Sequence, residues 1–257
     1  MCGPILTFVS YNITQSKTLY ELILKYLSNQ TDTILFLQEV KPTFTLDRNK
    51  YNVAQVRGQK RMSDLRIYAS NNLDSFCIKC NSQDRYQILQ TKNGCFANVH
   101  MPSSWRNGMT EGDRYGKLAK KIRSNFELDL IGGDINANPF EEAVFSPSAW
   151  FAKRTLDDFT RYRDKGLINP FWQIFNSSAK EDSFGSFPGS MNHFSRRQIL
   201  DQFFVPTSKH DKMVEIGVLK ELFGESFDVI NAKKDVKDDK GKGKLHWPVF
   251  IKYKIGD

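Results

Sequence analysis

The alternation of apolar and polar positions divides the first forty residues into three elements. Ile5 to Ser10 is a short apolar run that predicts a buried strand. Thr18 and Glu21 stand at the spacing of a capping box. Leu19, Leu22, Ile23, Tyr26 and Leu27 then recur at i, i+3, i+4, i+7 and i+8, the stripe of an amphipathic helix. The run TILFLQEV predicts a second buried strand. Strand, helix and strand in this order predict two parallel neighbours joined by a right-handed crossover. Their carboxyl ends, at Asn12 and Glu39, then lie side by side.

The middle of the chain reads as short strands with turns, at about 51–56, 65–69, 75–80, 86–89 and 95–100. Their closeness predicts an antiparallel meander. A helix follows, with Tyr115, Leu118, Ala119, Ile122 and Phe126 on one face. Leu128 to Ile131 predicts a strand that runs into GGDINANP, where Gly132 and Gly133 read as the start of a turn and Asn138-Pro139 as a helix start. QILDQFFV and PVFIKYKI complete the strands. Residues 231–244, NAKKDVKDDKGKGK, mix charges with two glycines and read as a mobile loop inserted before the last strand. The whole pattern predicts an α/β chain in one domain, 1–257, with two mostly antiparallel or mixed sheets face to face and helices outside.

Composition narrows the function classes. Of 257 residues, 40% are hydrophobic and 26% charged, as in an ordinary globular chain. The net charge of +8 favours polyanionic partners, nucleic acid first and anionic lipid second. A generally lysine-rich surface is the plainer reading of the same number. The four cysteines are Cys2, Cys77, Cys80 and Cys95. Cys77 and Cys80 form one C-x-x-C without a second pair, whereas zinc wants four ligands, so they read as strand thiols. No disulfide framework is evident, and a reducing cytoplasm is the expected compartment. No apolar stretch approaches the roughly 18 residues of a membrane span. A monomer without membrane insertion is expected, and the sequence names no protein partner.

Polar residues mark the places where strands stop. Asn12 follows FVSY, Glu39 follows LFLQ, His100 follows ANV, and Asp134 and Asn136 follow LIGG. His246 precedes WPVF, and Asp201 lies inside the apolar run ILDQFFV. Each alone is more often a turn residue or a cap. Asp201 is the sharpest, because a carboxylate in an apolar strand costs several kcal/mol unless paired, and histidine is a natural donor. Together, carboxylates with amides give hard oxygen ligands suited to Mg²⁺ or Mn²⁺. Two histidines and a buried Asp add acid–base groups. The set points to metal-assisted hydrolysis of a phosphate ester. Serine-hydrolase chemistry is disfavoured, because no G-x-S-x-G elbow is present.

The ordered set SYN, LFLQEV, NVHMP, GGDINANP, QILDQFFV and LHWPVF resembles the endonuclease/exonuclease/phosphatase (DNase I-like) superfamily, from Ser10 to about Tyr253. NPFW at Asn169–Trp172, with DQFFVP, is most similar to its bacterial members. The resemblance implies a four-layer α/β/β/α sandwich with the site at one edge of both sheets. It implies Glu39 as principal metal ligand with Asn12 beside it, and Mg²⁺ or Mn²⁺ as cofactor. It further implies Asp134 as the group that orients or deprotonates the attacking water, and Asn136 as a support for the phosphate or for Asp134. His246, held by Asp201, would contact phosphate oxygens, and His100 would stabilise charge on the phosphoryl or leaving group. The chain departs from the superfamily at Leu245, where an acid usually precedes the histidine.

Two further stretches bear on substrate. SFGSFPGSMNHFSRR places Arg196 and Arg197 among aromatic residues, and SSWRNGMTEGDR places Trp105 in a long loop after His100. Aromatics can stack on bases while arginines hold phosphates, although loops covering a sheet edge have the same composition. The expected activity is a divalent-metal-dependent nuclease acting on DNA or RNA. The alternatives are a phosphatase or phosphodiesterase of a small-molecule or lipid phosphoester, and a non-catalytic nucleic-acid-binding chain.

Overall fold

The computed structural model describes residues 3–59, 64–73, 77–82, 85–101, 127–135, 167–168, 201–232 and 246–256. Two six-stranded sheets stand among them. The first contains β1 (Ile5–Asn12), β2 (Thr33–Gln38), β3 (Val53–Gln55), β4 (Arg66–Ser70), β11 (Met213–Val218) and β14 (Val249–Lys254), in the order β11-β14-β1-β2-β4-β3. The second contains β5 (Cys77–Ser82), β6 (Tyr86–Thr91), β7 (Gly94–His100), β8 (Leu130–Asp134), β9 (Leu167–Ile168) and β10 (Asp201–Pro206), in the order β5-β6-β7-β8-β10-β9. A small hairpin pairs β12 (Glu221–Leu222) with β13 (Glu225–Ser226). Each large sheet is mixed: β1 and β2 are parallel, as are β7 and β8, and the other pairings are antiparallel.

Period-two alternation explains the layers. On one face of β1 and β2, Leu6, Phe8, Ile34 and Phe36 join Ile67, Val249 and Ile251 in a core shared with Leu89, Phe96, Leu130 and Phe203 of the second sheet. Phe8 bridges the sheets, its ring centroid 4.7 Å from that of Phe96. The opposite face of the first sheet presents Val9, Tyr11, Leu35 and Leu37 to the helix α1 (Lys17–Ser28), and Phe227 and Ile230 of the helix α2 (Phe227–Ala232) join the same cluster. The outer face of the second sheet buries a third cluster, including Ile88, Ala97, Val99, Ile131 and Phe204. Among the described residues no helix is long and apolar enough to cross a membrane.

The same alternation makes one end of the sandwich polar. Continuing inward along β1 beyond Phe8 come Ser10 and Asn12; beyond Phe36 comes Gln38; beyond Phe96 come Asn98 and His100. On β8 the inward sequence is Leu130, Gly132, Asp134, and antiparallel β10 places Asp201 opposite Asp134. Asn12 stands beside Gln38, and His100 beside Asp134. Polar ends of strands from both sheets therefore meet at one rim.

Four sequence expectations are corrected. The cap of α1 is Ser16, whose hydroxyl accepts from the Leu19 N–H at 3.3 Å; Thr18 and Glu21 lie inside the helix. The buried face of α1 is Leu19, Tyr20, Ile23, Leu24 and Leu27, so Leu22 and Tyr26 flank it. The middle strands are not one meander: β3 and β4 close the first sheet, and β5, β6 and β7 form the meander in the second. The Gly132-Gly133 pair is strand, because β8 runs through to Asp134. The segment 231–244 begins with the last two residues of α2, and 233–244 lies outside the described residues. The expected helix at 115–126 and the helix start at Asn138-Pro139 also lie outside them.

Candidate active site

Two tight strand exits bring the first two residues together. β1 continues into a turn in which Thr14 and Gln15 have φ of 47° and 61°, and Glu39 follows β2 with φ of 54°. Left-handed backbone is uncommon outside glycine, and a β-branched residue there is an outlier that the surroundings must hold in place. The two exits are tied together: the Ile13 N–H donates to the Gln38 carbonyl at 3.2 Å and the Gln15 N–H to the Glu39 carbonyl at 3.0 Å. The result turns the Glu39 side chain toward Asn12 rather than onward along the strand.

The Asn12 amide is fully buried and joins two carboxylates. Its Nδ2 donates to Glu39 Oε1 at 3.2 Å and to Asp134 Oδ2 at 2.8 Å. Its Oδ1 accepts from the Thr14 N–H at 2.9 Å. In this arrangement Asn12 orients the carboxylates, and its oxygen is already engaged by the turn.

Two histidine–carboxylate pairs flank this centre. His246 Nδ1 lies 2.5 Å from Asp201 Oδ2, with both residues buried. Burial alone would lower the His246 pKa, but the charge of Asp201, the hydrogen bond to it, and the charges of Asp134 and Glu39 raise it. His100 Nδ1 lies 2.9 Å from Asp64 Oδ2, and its Nε2 lies 3.8 Å from Glu39 Oε1 and 4.0 Å from Asp134 Oδ2. Burial again opposes the proton on His100, and Asp64, Asp134 and Glu39 outweigh it. The Asp134 carboxyl is pushed above the ordinary carboxylate range by burial first and by Asp201, against the pull of His246, His100 and the Asn12 amide. The pocket is buried at Asn12, Asp134 and Asp201 and opens toward the half-exposed Glu39 and Asp64.

Of the residues singled out from sequence, Asn12, Glu39, His100, Asp134, Asp201 and His246 are brought together here. Asn136, Trp105, Arg196, Arg197 and Leu245 lie outside the described residues. Two residues had not been singled out. Asp64 precedes β4 without any local pattern, and Arg85, exposed before β6, reaches His100 with Nη1 3.5 Å from Nδ1. A further signal was present but unused: Gln38 and Asn98 are polar at inward positions of otherwise apolar strands.

The donor set fits a divalent cation. Ligand atoms of Glu39, His100 and Asp134 lie within 4.8 Å of one another, as do those of Asp134, Asp201 and His246. Carboxylate oxygens dominate and no thiolate takes part, which suits a hard cation.

No protein-family profile and no curated protein matches this sequence. Solved structures do match by fold. A 3'-5' exonuclease from Neisseria meningitidis superposes with a TM-score of 0.68 at 15% identity, covering 97% of this chain and 100% of that one. An AP endonuclease from Leishmania major gives 0.67 at 13% identity, over 97% and 88% of the two chains. A 3' phosphatase from Neisseria, bound to a product DNA hairpin, gives 0.65 at 14% identity, over 96% and 99%. These structures belong to the endonuclease/exonuclease/phosphatase superfamily, and the chain has their DNase I-like fold.

Proposed function

We propose that the chain is a divalent-metal-dependent phosphodiesterase that hydrolyses nucleic-acid phosphodiester bonds. The observation that carries this reading is the meeting of Glu39, Asp134 and two carboxylate-held imidazoles at the polar rim of the sandwich. The DNase I-like fold, shared with a DNA-bound 3' phosphatase, and the net charge of +8 support a polyanionic substrate.

Glu39 would hold the cation with Asn12 beside it, and ligand atoms of Asp134 and His100 lie within reach. A bound Mg²⁺ or Mn²⁺ supplies charge stabilisation at a phosphoryl oxygen and lowers the pKa of bound water. Asn12 keeps the two carboxylates in one orientation through its split donor bonds. Asp134, held by the Asn12 amide, would orient a water or take its proton. Asn136 assists there by holding Asp134 or the phosphate. Asp201 binds Nδ1 of His246, which leaves Nε2 as the ring atom that donates to a phosphate oxygen. Asp64 binds Nδ1 of His100 in the same way, and Nε2 faces Glu39 and Asp134. Arg85, beside His100 and exposed, is placed to pair with a second phosphate of a polymer. Trp105, Arg196 and Arg197 remain candidates for substrate contact.

The test is cleavage by the purified chain of plasmid, abasic, single-stranded and RNA substrates with Mg²⁺ or Mn²⁺. Glu39→Ala should retain the fold by circular dichroism and lose at least about a hundredfold in kcat/KM. No cleavage by the wild type across the panel would count against the proposal. Leu245, in place of the superfamily's usual acid, favours a second reading in which the chain binds nucleic acid without cutting it. Calorimetry separates the two, since tight Mn²⁺ binding that depends on Glu39 belongs to the enzyme.

A further inference from the structure

The Gln-Glu pair at the end of β2 contains one residue that the chemistry above does not use. Gln38 is fully buried and points between the sheets. Its Nε2 donates to Asn98 Oδ1 on β7 at 2.7 Å and to Ser10 Oγ on β1 at 3.1 Å. Asn98 Nδ2 in turn donates to the carbonyls of Leu37 and Arg66, each at 3.2 Å, and to Gln87 Oε1 on β6 at 3.3 Å. Gln87 Nε2 donates to the Leu65 carbonyl at 3.1 Å. All four side chains are wholly shielded from solvent.

We infer that Gln38 and Asn98 form an amide bridge between the two sheets that fixes the distance across the cleft, making both positioning residues for Glu39 and His100. The inference rests on the reading of this cleft as the metal and phosphate site. Glu39 follows Gln38 directly, and His100 lies two residues beyond Asn98 on the same face of β7. The bridge therefore joins the first sheet to the second one step behind the residues that must cooperate across the gap. Gln38 Oε1 is buried without a hydrogen-bond partner, which costs stability, so stability alone does not account for an amide here. A buried polar network of this kind selects one arrangement of the sheets.

The backbone around Glu39 points the same way. Its left-handed conformation persists only if its neighbours are held. Gln38 is held by its side chain and by the Ile13 N–H on its carbonyl, and Glu39 by the Gln15 N–H on its carbonyl. The Val40 N–H donates to the carbonyl of Asp64 at 2.8 Å. Asp64 is also the residue that orients His100. One continuous set of bonds thus runs from Asn98 through Gln38, Glu39, Val40 and Asp64 back to His100.

The test uses the full chain with the double substitution Gln38→Met/Asn98→Leu and the length exchange Gln38→Asn/Asn98→Gln, together with its two single changes. The apolar double variant also removes the donors to the Leu37 and Arg66 carbonyls and to Gln87 Oε1, so its urea midpoint is expected to fall. It should bind Mn²⁺ about 10–100-fold more weakly in calorimetry and shift the His100 imidazole signals in NMR of the metal-free protein. The length exchange should recover most of the affinity that each single change loses. Wild-type Mn²⁺ affinity and unchanged His100 signals in the apolar double variant would overturn the inference. If that variant does not fold, single changes that bind Mn²⁺ like the wild type overturn it instead. If the wild type binds no Mn²⁺, the proposed function falls, and the His100 signals alone decide whether the bridge positions the ring.

Discussion

Asp201 shows how much chemistry one buried carboxylate can organise. It lies opposite Asp134 in the sheet and holds Nδ1 of His246. Asp201→Asn should keep the fold but lose the charge that raises the His246 pKa, lowering kcat by roughly 10–100-fold, as steady-state kinetics would show. Gly132 and Gly133 act at the same scale, through space rather than charge. A Cβ on Gly132 would lie 2.3 Å from the Phe203 ring, and one on Gly133 would lie 1.9 Å from the Val99 carbonyl oxygen. Gly133 also has φ of +152°. Gly132→Ala should therefore cost about 1–3 kcal/mol, since a ring can move, and Gly133→Ala more than about 3 kcal/mol, since a neighbouring strand cannot. Urea denaturation would rank the two.

Elements in this chain are set by their exits as much as by their interiors. Periodicity marks the α1 stripe but does not choose between Ser16 and Thr18 as its cap, since both precede an apolar run. Only the Ser16 hydroxyl reaches the Leu19 N–H. Ser16→Ala should destabilise by about 1 kcal/mol, and Thr18→Ala, inside the first turn, by clearly less, in thermal melts. The strand ends carry the site for a related reason. Where β1 and β2 stop, bonds from Ile13 and Gln15 to the second exit hold three residues in left-handed backbone. Asn12 and Glu39 are within reach of each other because those exits interlock, a property of the pair of elements and of neither strand alone.

At the scale of the molecule, two mixed sheets share an apolar core and meet at a polar rim. The carboxylates gathered there would repel a polyanion, so attraction to one would come from the rest of the chain, whose whole carries a formal net charge of +8. Binding of metal-free Glu39→Ala to a short DNA duplex should weaken with salt along a straight log–log line. The slope should be roughly one unit per phosphate contacted, measured by fluorescence anisotropy. A flat line would mean that the basic charge is not presented to nucleic acid.

The sequence by itself determined the parallel β1–β2 pair, the helical stripe of α1, and the need of Asp201 for a partner. These follow from local periodicity and from the cost of burying a charge, which any window of the chain carries. The apolar runs also placed Asn12, His100 and Asp134 where strands stop, and the structure turned all three inward. Tertiary structure alone decided which strands share a sheet, and so divided the expected meander between two. It decided that Gly132 and Gly133 admit a ring and a neighbouring carbonyl within a strand, that Asp64 and Arg85 attend His100, and that Gln38 answers Asn98 across the core. Those contacts join residues far apart along the chain, some across one sheet and some between the two, and no local pattern encodes a partner that arrives from another strand.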